Sequence, residues 1–240
     1  VQITVIKKDA ETKEALEGAV FGLYAKEDIF NADGKLIVAA DTFIEKVVTG
    51  TDGTVSFVSD LPLGKYRVVE VEAPYGYVLN QEEQYVTFVY VDDKTPVIRE
   101  SLTFANDRQK VDLSVAKLDG ETGLPVSGAE FGLYAAEDIV NVDGKVIVEK
   151  DTLLEVAVSD ANGDIQFVKD YPLGHYYAKE IKAPAGYVSC DDVIEFDAEY
   201  QGQEVKYATI IATFHNMPTT FEFTKEDITS GAELSGATLT

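Results

Sequence analysis

Residues 1–29 read VQITVIKKDAETKEALEGAVFGLYAKEDI, and residues 111–139 repeat this stretch as VDLSVAKLDGETGLPVSGAEFGLYAAEDI. The offset of 110 residues continues without a gap to the end of the second copy. A third start, FEFTKEDITSGAELSGATLT, occupies residues 221–240. Self-similarity at a fixed offset predicts tandem units that share one fold.

Each copy consists of short runs of β-branched and aromatic residues separated by turn dipeptides such as Asp52-Gly53 and Asn162-Gly163. Strands at this spacing predict an all-β sandwich or Greek-key barrel. The repeat places the first unit at residues 1–109 and the second at residues 110–219, here named the first repeat and the second repeat. Residues 220–240 are then the first strand segment of a truncated third unit.

The composition restricts the partners. The 240 residues include 43 acidic and 20 basic ones, which gives a net charge of -23. Such a surface repels phosphate backbones and anionic lipid headgroups, so nucleic acid and membrane partners are not expected. No apolar run is long enough to span a bilayer. The single cysteine, Cys190, excludes an intrachain disulfide and a cysteine-based metal cluster.

The sequence offers little for an enzyme that acts on an external substrate. His175 and His215 are the only histidines, and neither has a serine or metal-ligand spacing around it. No cofactor is therefore expected. Calcium at Asn31 and Asp33, and at the same positions of the second repeat, is an alternative, but a hairpin turn explains these residues better.

Lysines recur on an apolar strand face. Alternate side chains of a strand share a face, so Lys7 lies with Ile3 and Val5. Lys117 and Lys225 occupy the same register in the other two copies. One such lysine is usually a strand end that reaches solvent, but three copies at one register weaken that interpretation.

The same parity directs a glutamate and an asparagine inward in each repeat. Glu70 falls on the apolar face of the strand that precedes the AP-x-GY motif, as Glu180 does in the copy. On the closing strand Asn106 shares its face with Phe104, and Asn216 occupies the same position in the second repeat. Each repeat is thus predicted to point a Lys, a Glu and an Asn toward its own core.

Burial of these groups favours a reaction between them. Unpaired buried charges cost several kcal/mol each, and desolvation lowers a lysine pKa and raises a glutamate pKa. A neutral amine is a nucleophile, and a protonated glutamate can polarise the asparagine carbonyl and pass a proton to the departing nitrogen. The product is an amide, with ammonia released. A buried salt bridge capped by asparagine, without reaction, is the alternative that this pattern leaves open.

Residues 70–77, EVEAPYGY, and residues 180–187, EIKAPAGY, resemble the E-x-x-A-P-x-G-Y signature of the CnaB-type, or SpaA-like, prealbumin-like domains of Gram-positive surface proteins and pilins. The GA-x-FGLY segments at Gly18 and Gly128 agree with the same family. The resemblance covers both repeats and the start of the third. It implies tandem Ig-like, prealbumin-like Greek-key β-sandwiches.

The resemblance also implies a Lys–Asn isopeptide bond in each repeat, with the glutamate before AP-x-GY as its catalyst. The residues are Lys7, Asn106 and the catalyst Glu70 in the first repeat, and Lys117, Asn216 and the catalyst Glu180 in the second. Lys225 has no partner of this kind in the chain, so the third segment is expected to remain unbonded.

The function that follows is a stalk or spacer in a cell-wall-anchored bacterial surface adhesin or pilin-like protein, located outside the cell and partnered by neighbouring modules. The alternative is a binding module in which loop tips, such as residues 31–38 and 141–148, hold a host matrix protein or glycan. Neither an LPxTG-type sorting signal nor a YPKN-type motif is found, so sortase polymerisation is not predicted. Cys190 aligns with Asn80 and is interpreted as an incidental thiol.

Overall fold

A computed structural model describes residues 1–95, 97–140, 145–221, 224–233 and 235. Every regular element in this part of the chain is a β-strand, which confirms the all-β fold class. Within the same residues, no helix has the length and apolar character needed to cross a membrane.

The described residues of the first repeat form nine strands. They are β1 (Gln2–Asp9), β2 (Val20–Ala25), β3 (Ile29–Phe30), β4 (Leu36–Val38), β5 (Phe43–Val48), β6 (Thr54–Ser56), β7 (Gly64–Glu72), β8 (Glu83–Phe88) and β9 (Arg99–Asn106). A three-stranded sheet has the order β6-β1-β9, a four-stranded sheet has the order β5-β2-β7-β8, and β3 pairs with β4. The first and last strands of the repeat are therefore neighbours in one sheet.

Strand β1 shows why the repeat folds as a sandwich. Its burial alternates residue by residue, with Ile3, Val5, Lys7 and Asp9 on the buried side. A strand with one apolar face must cover that face with another layer. The four-stranded sheet supplies it, and Phe21 of that sheet lies 4.8 Å from Phe104 of β9, centroid to centroid. The core lies between the two sheets.

The pairing of β1 with β9 positions the polar residues of the core. The two strands are parallel, with Lys7 opposite Phe104 and Asp9 opposite Asn106. Lys7 and Asn106 therefore lie diagonally across adjacent strands on the same buried face, and such neighbours are within reach of a long side chain.

The described part of the second repeat has the corresponding strands. They are β10 (Lys110–Asp119), β11 (Glu130–Ala135), β12 (Ile139–Val140), β13 (Val146–Val148), β14 (Leu153–Val158), β15 (Asp164–Tyr171), β16 (Gly174–Lys182), β17 (Val193–Ala198) and β18 (Tyr207–Asn216). Their sheets have the orders β15-β10-β18 and β14-β11-β16-β17, with β12 paired to β13. Phe131 packs on Phe214 at 4.9 Å, as Phe21 does on Phe104.

Backbone contacts divide the chain into two compact units. The first contains Val1–Asp112 together with Val168–His175 and Asp197–Ile210, and the other described residues belong to the second. Beyond the second repeat, Glu226 and Glu233 form an antiparallel bridge.

Candidate crosslinking site

Three polar side chains meet inside the first repeat. Lys7 comes from β1, Asn106 from β9, and Glu70 from β7 in the facing sheet. The side chains of Lys7 and Glu70 are both 0% exposed, and Asn106 is buried as well. The structure therefore brings together the three residues that the sequence singled out in this repeat, in a place from which water is excluded.

The contacts are short. Lys7 Nζ donates to Asn106 Oδ1 at 2.6 Å, and it lies 3.7 Å from Glu70 Oε1. Asn106 Nδ2 donates to both carboxyl oxygens of Glu70, at 3.0 and 2.8 Å. The sequence predicts that Glu70 contacts the carboxamide oxygen, but in the structure Glu70 contacts the nitrogen. Lys7, and not Glu70, contacts the oxygen.

Burial perturbs the acid and the amine in opposite directions. Desolvation lowers the pKa of Lys7 to about 8, although the charge of Glu70 opposes this shift. Desolvation raises the pKa of Glu70, against the opposing effects of Lys7 and of hydrogen bonds from Asn80 and Asn106. Both shifts favour the neutral pair, and a neutral amine beside a carboxamide is the arrangement that amide formation requires.

Asn80 holds the glutamate to the last strand. Its backbone N–H donates to Glu70 Oε2 at 2.8 Å, and its side-chain Nδ2 donates to the carbonyl of Ala105 at 2.9 Å. Its Oδ1 accepts from the backbone N–H of Glu82. Ala105 directly precedes Asn106, so one residue connects the acid to the strand that carries the carboxamide.

A second connection was missed by the sequence argument. The Tyr77 hydroxyl, at the end of the AP-x-GY motif, donates to Asp9 Oδ2 at 2.9 Å. Burial alone would raise the pKa of Asp9, but hydrogen bonds from the backbone of Thr12 and Glu11 and from Tyr77 lower it. The signal was present in the sequence, since Asp9 lies two residues after Lys7 on the same strand face.

The second repeat has the same Tyr–Asp hydrogen bond but lacks the contact between the lysine amine and the asparagine carboxamide. Tyr187 donates to Asp119 at 2.7 Å, as Tyr77 does to Asp9. Lys117 is fully buried, and burial lowers its pKa. Its Nζ, however, donates to the carbonyl of Leu118 at 3.0 Å instead of to Asn216.

The carboxamide of the second repeat is also bound differently. Asn216 Nδ2 donates to Glu180 Oε2 at 2.8 Å and to the carbonyl of Val188 at 2.7 Å. Within the described residues, the buried Asn216 Oδ1 and Glu180 Oε1 have no hydrogen-bond partner. The structure thus brings Glu180 to Asn216 but leaves the Lys117 amine engaged elsewhere.

The remaining sequence candidates lie outside these two sites. Lys225 is exposed. Asn31 Oδ1 accepts from the backbone N–H groups of Asp33 and Lys35, as a hairpin turn requires. The corresponding residues 141–144 lie outside the described residues. In the part of the chain that is described, no group of three or more acidic, cysteine or histidine side chains could hold a metal ion.

Comparison with known families decides the fold type. The model of the SpaA prealbumin-like fold domain matches residues 1–100 and again residues 111–210. The chain belongs to this SpaA family. One match lies within each repeat, which confirms the prealbumin-like resemblance and the fold class that it implied.

Several bacterial proteins are similar to this SpaA-family chain. The trypsin-resistant surface T6 protein of Streptococcus pyogenes serotype M6 is 32% identical over 111 residues, which is 45% of this chain and 18% of that protein. The Bacillus anthracis TIE protein has 25% identity and a TM-score of 0.60 over 90% of this chain and 34% of its own. The shaft pilin SpaA of Lactobacillus rhamnosus GG has 15% identity and a TM-score of 0.34, over 92% of this chain and 98% of its own.

The chain thus spans a minor part of the first two of these proteins. Membership of the SpaA family identifies its repeats as structural domains of the type found in Gram-positive surface proteins and pilins.

Proposed function

We propose that this chain is a structural stalk segment of a Gram-positive surface protein, anchored in the cell wall, in which each repeat is closed by an isopeptide bond. The bonds join Lys7 to Asn106 and Lys117 to Asn216, with Glu70 and Glu180 as the respective catalysts. The observation that carries the proposal is the 2.6 Å contact between the buried Lys7 amine and the Asn106 carboxamide, beside the buried Glu70.

The geometry of the first repeat supports a balanced reaction. The Lys7 amine attacks Asn106 Cγ, and the bond from Cγ to Nδ2 breaks. One amine proton passes through the Glu70 carboxyl group to Nδ2, which leaves as ammonia, and Glu70 is regenerated. Contact of Glu70 with Nδ2 suits this proton transfer, since general acid catalysis requires the acid within hydrogen-bond reach of the leaving atom.

A bond between β1 and β9 suits a stalk. Lys7 and Asn106 are separated by 99 residues, so the bond closes almost the whole repeat into one covalent loop. A disulfide that closes a loop of this length stabilises a protein by about 4 to 5 kcal/mol through the entropy of the unfolded chain. We infer a comparable effect for the isopeptide bond. Force applied to the ends of the repeat also cannot unfold the residues between Lys7 and Asn106, because the tension passes through the bond.

Intact mass measurement of the full chain tests the proposal. We expect a deficit of two ammonia molecules, reduced to one in Glu70→Gln and to none in Glu70→Gln/Glu180→Gln, after allowance for the substitutions. Glu72→Gln is the matched control, because Glu72 lies on the same strand but is 60% exposed and paired with Lys46. A wild-type mass equal to the sum of its residues would overturn the proposal.

A further inference from the structure

In the first repeat one residue touches both the catalyst and the last strand, and the second repeat has a different residue at that position. That residue is Asn80 in the first repeat and Cys190 in the second. Both repeats have the same triad of Lys, Glu and Asn at the site. Only in the first repeat, however, does the lysine amine contact the asparagine carboxamide. The difference in geometry therefore needs an origin outside the triad itself.

Asn80 makes three hydrogen bonds that fix the site. Its backbone N–H binds the catalyst Glu70, its Nδ2 binds Ala105 of β9, and its Oδ1 binds the backbone of Glu82. The loop after β7 is thereby tied to β9 at the residue before Asn106. With the loop held in place, Glu70 presents both of its oxygens to Asn106 Nδ2, and the Asn106 oxygen faces Lys7.

Cys190 can make only part of this connection. Its backbone N–H still donates to Glu180 Oε2, but at 3.2 Å instead of 2.8 Å. Its side chain is shorter than that of asparagine and carries only a weak thiol donor. In this repeat Asn216 Nδ2 donates one hydrogen bond to Glu180 and one to the carbonyl of Val188. Within the described residues, Glu180 Oε1 and Asn216 Oδ1 have no hydrogen-bond partner.

We propose that Asn80 is a positioning residue for amide formation in the first repeat, and that Cys190 in its place makes the Lys117–Asn216 bond form more slowly. This inference rests on the proposed function. Asn80 does not touch the reacting amine; it acts through Glu70 and through the strand that carries Asn106. A displacement of about 1 Å at a reacting centre can slow a reaction by up to roughly 100-fold, so a clear difference in rate between the repeats is expected.

The test uses the full chain, recovered unfolded and refolded by dilution, with ammonia loss followed by time-resolved intact mass. One site is read at a time: Glu180→Gln isolates the first repeat and Glu70→Gln isolates the second. We expect the first repeat to react roughly 10- to 100-fold faster than the second. Cys190→Asn should accelerate the second repeat by at least several-fold, and Asn80→Cys should slow the first.

Two controls separate positioning from other effects. Cys190→Ser removes the thiol without supplying an amide, so the second repeat should stay slow. The denaturant midpoint of the Glu70→Gln chain, with and without Asn80→Cys, reports the purely structural contribution of Asn80. A structural role alone would shift that midpoint and leave the rate of the refolded first repeat unchanged.

The outcomes separate failure of the positioning role from failure of the proposed function. If neither repeat loses ammonia, the proposed function is overturned. Loss from both repeats at rates that do not respond to Asn80→Cys or Cys190→Asn would overturn only the positioning role. Cys190→Asn is expected to increase the rate of ammonia loss from the second repeat. The positioning role therefore stays testable even if Asn80→Cys prevents folding.

Discussion

Lys7 shows how a single buried residue can acquire chemistry from its surroundings. Its amine has no exposed surface, and burial lowers its pKa to about 8, while burial raises the pKa of the adjacent Glu70. Two groups that interact this closely titrate as a pair, so the number of protons on the pair controls the reaction. Amide formation needs one proton on the pair, held by Glu70 while the Lys7 amine is neutral.

The pH dependence of crosslinking follows from this proton count. Between the raised pKa of Glu70 and the pKa of Lys7 the pair holds one proton, and the rate should be constant. Above pH about 8 the pair loses that proton and the rate should fall. Below the pKa of Glu70 the pair gains a second proton, and the rate should fall again.

Refolding the Glu180→Gln chain at a series of pH values, with intact mass as the readout, measures this profile. A rate that stays constant up to pH 10.5, the ordinary pKa of lysine, before it falls would show that the Lys7 amine is not perturbed by burial.

At the scale of strands, the backbone next to the site depends on one glycine. Gly53 has a φ of +70°, and its carbonyl accepts the backbone N–H of Lys7 at 2.7 Å. A Cβ at Gly53 would lie 2.5 Å from the Lys7 backbone oxygen, which cannot move without displacing β1. A side chain here therefore disturbs the strand that carries the reacting amine.

We expect Gly53→Ala to lower the free energy of unfolding of the first repeat by about 2 to 3 kcal/mol. Urea denaturation in the Glu70→Gln background measures it without a covalent bond. Gly34→Ala is the matched control, because Gly34 has a similar φ of +76° but open space at its Cβ. It should cost only about 1 to 2 kcal/mol. Equal losses for the two variants would show that the contact with Lys7 has no effect.

The strands also show what the sequence could predict. Period-two alternation predicts which residues of β1, β7 and β9 point inward, because alternate side chains share a face. It does not predict which strands pair, so the parallel contact of β1 with β9 had to come from the structure. Nor could it separate the repeats, since both have the same Lys, Glu and Asn, yet Lys7 Nζ donates to Asn106 and Lys117 Nζ donates to Leu118.

At the scale of the whole chain, the two proposed bonds would set how much length each repeat can release under tension. The 99-residue separation of Lys7 and Asn106 corresponds to roughly 330 Å of extended chain, at about 3.3 to 3.6 Å per residue. With the bond formed, tension passes directly from β1 to β9, and the residues between them cannot extend. Without it, the same residues are released when the repeat unfolds.

Single-molecule extension of the full chain, held by its two ends, should therefore count the bonds. The extended length per residue gives each extension event a size of roughly 330 Å. We expect no such event in the wild type, one event in Glu70→Gln and two events in Glu70→Gln/Glu180→Gln. Glu72→Gln should behave as the wild type does. Wild-type chains that release this length at forces similar to those of the double variant would show that no covalent bond spans either repeat. Chains that release it once would have one bonded and one unbonded repeat. The second repeat is the one expected to lag if molecules are taken soon after refolding, because its Lys117 amine begins on Leu118 instead of Asn216.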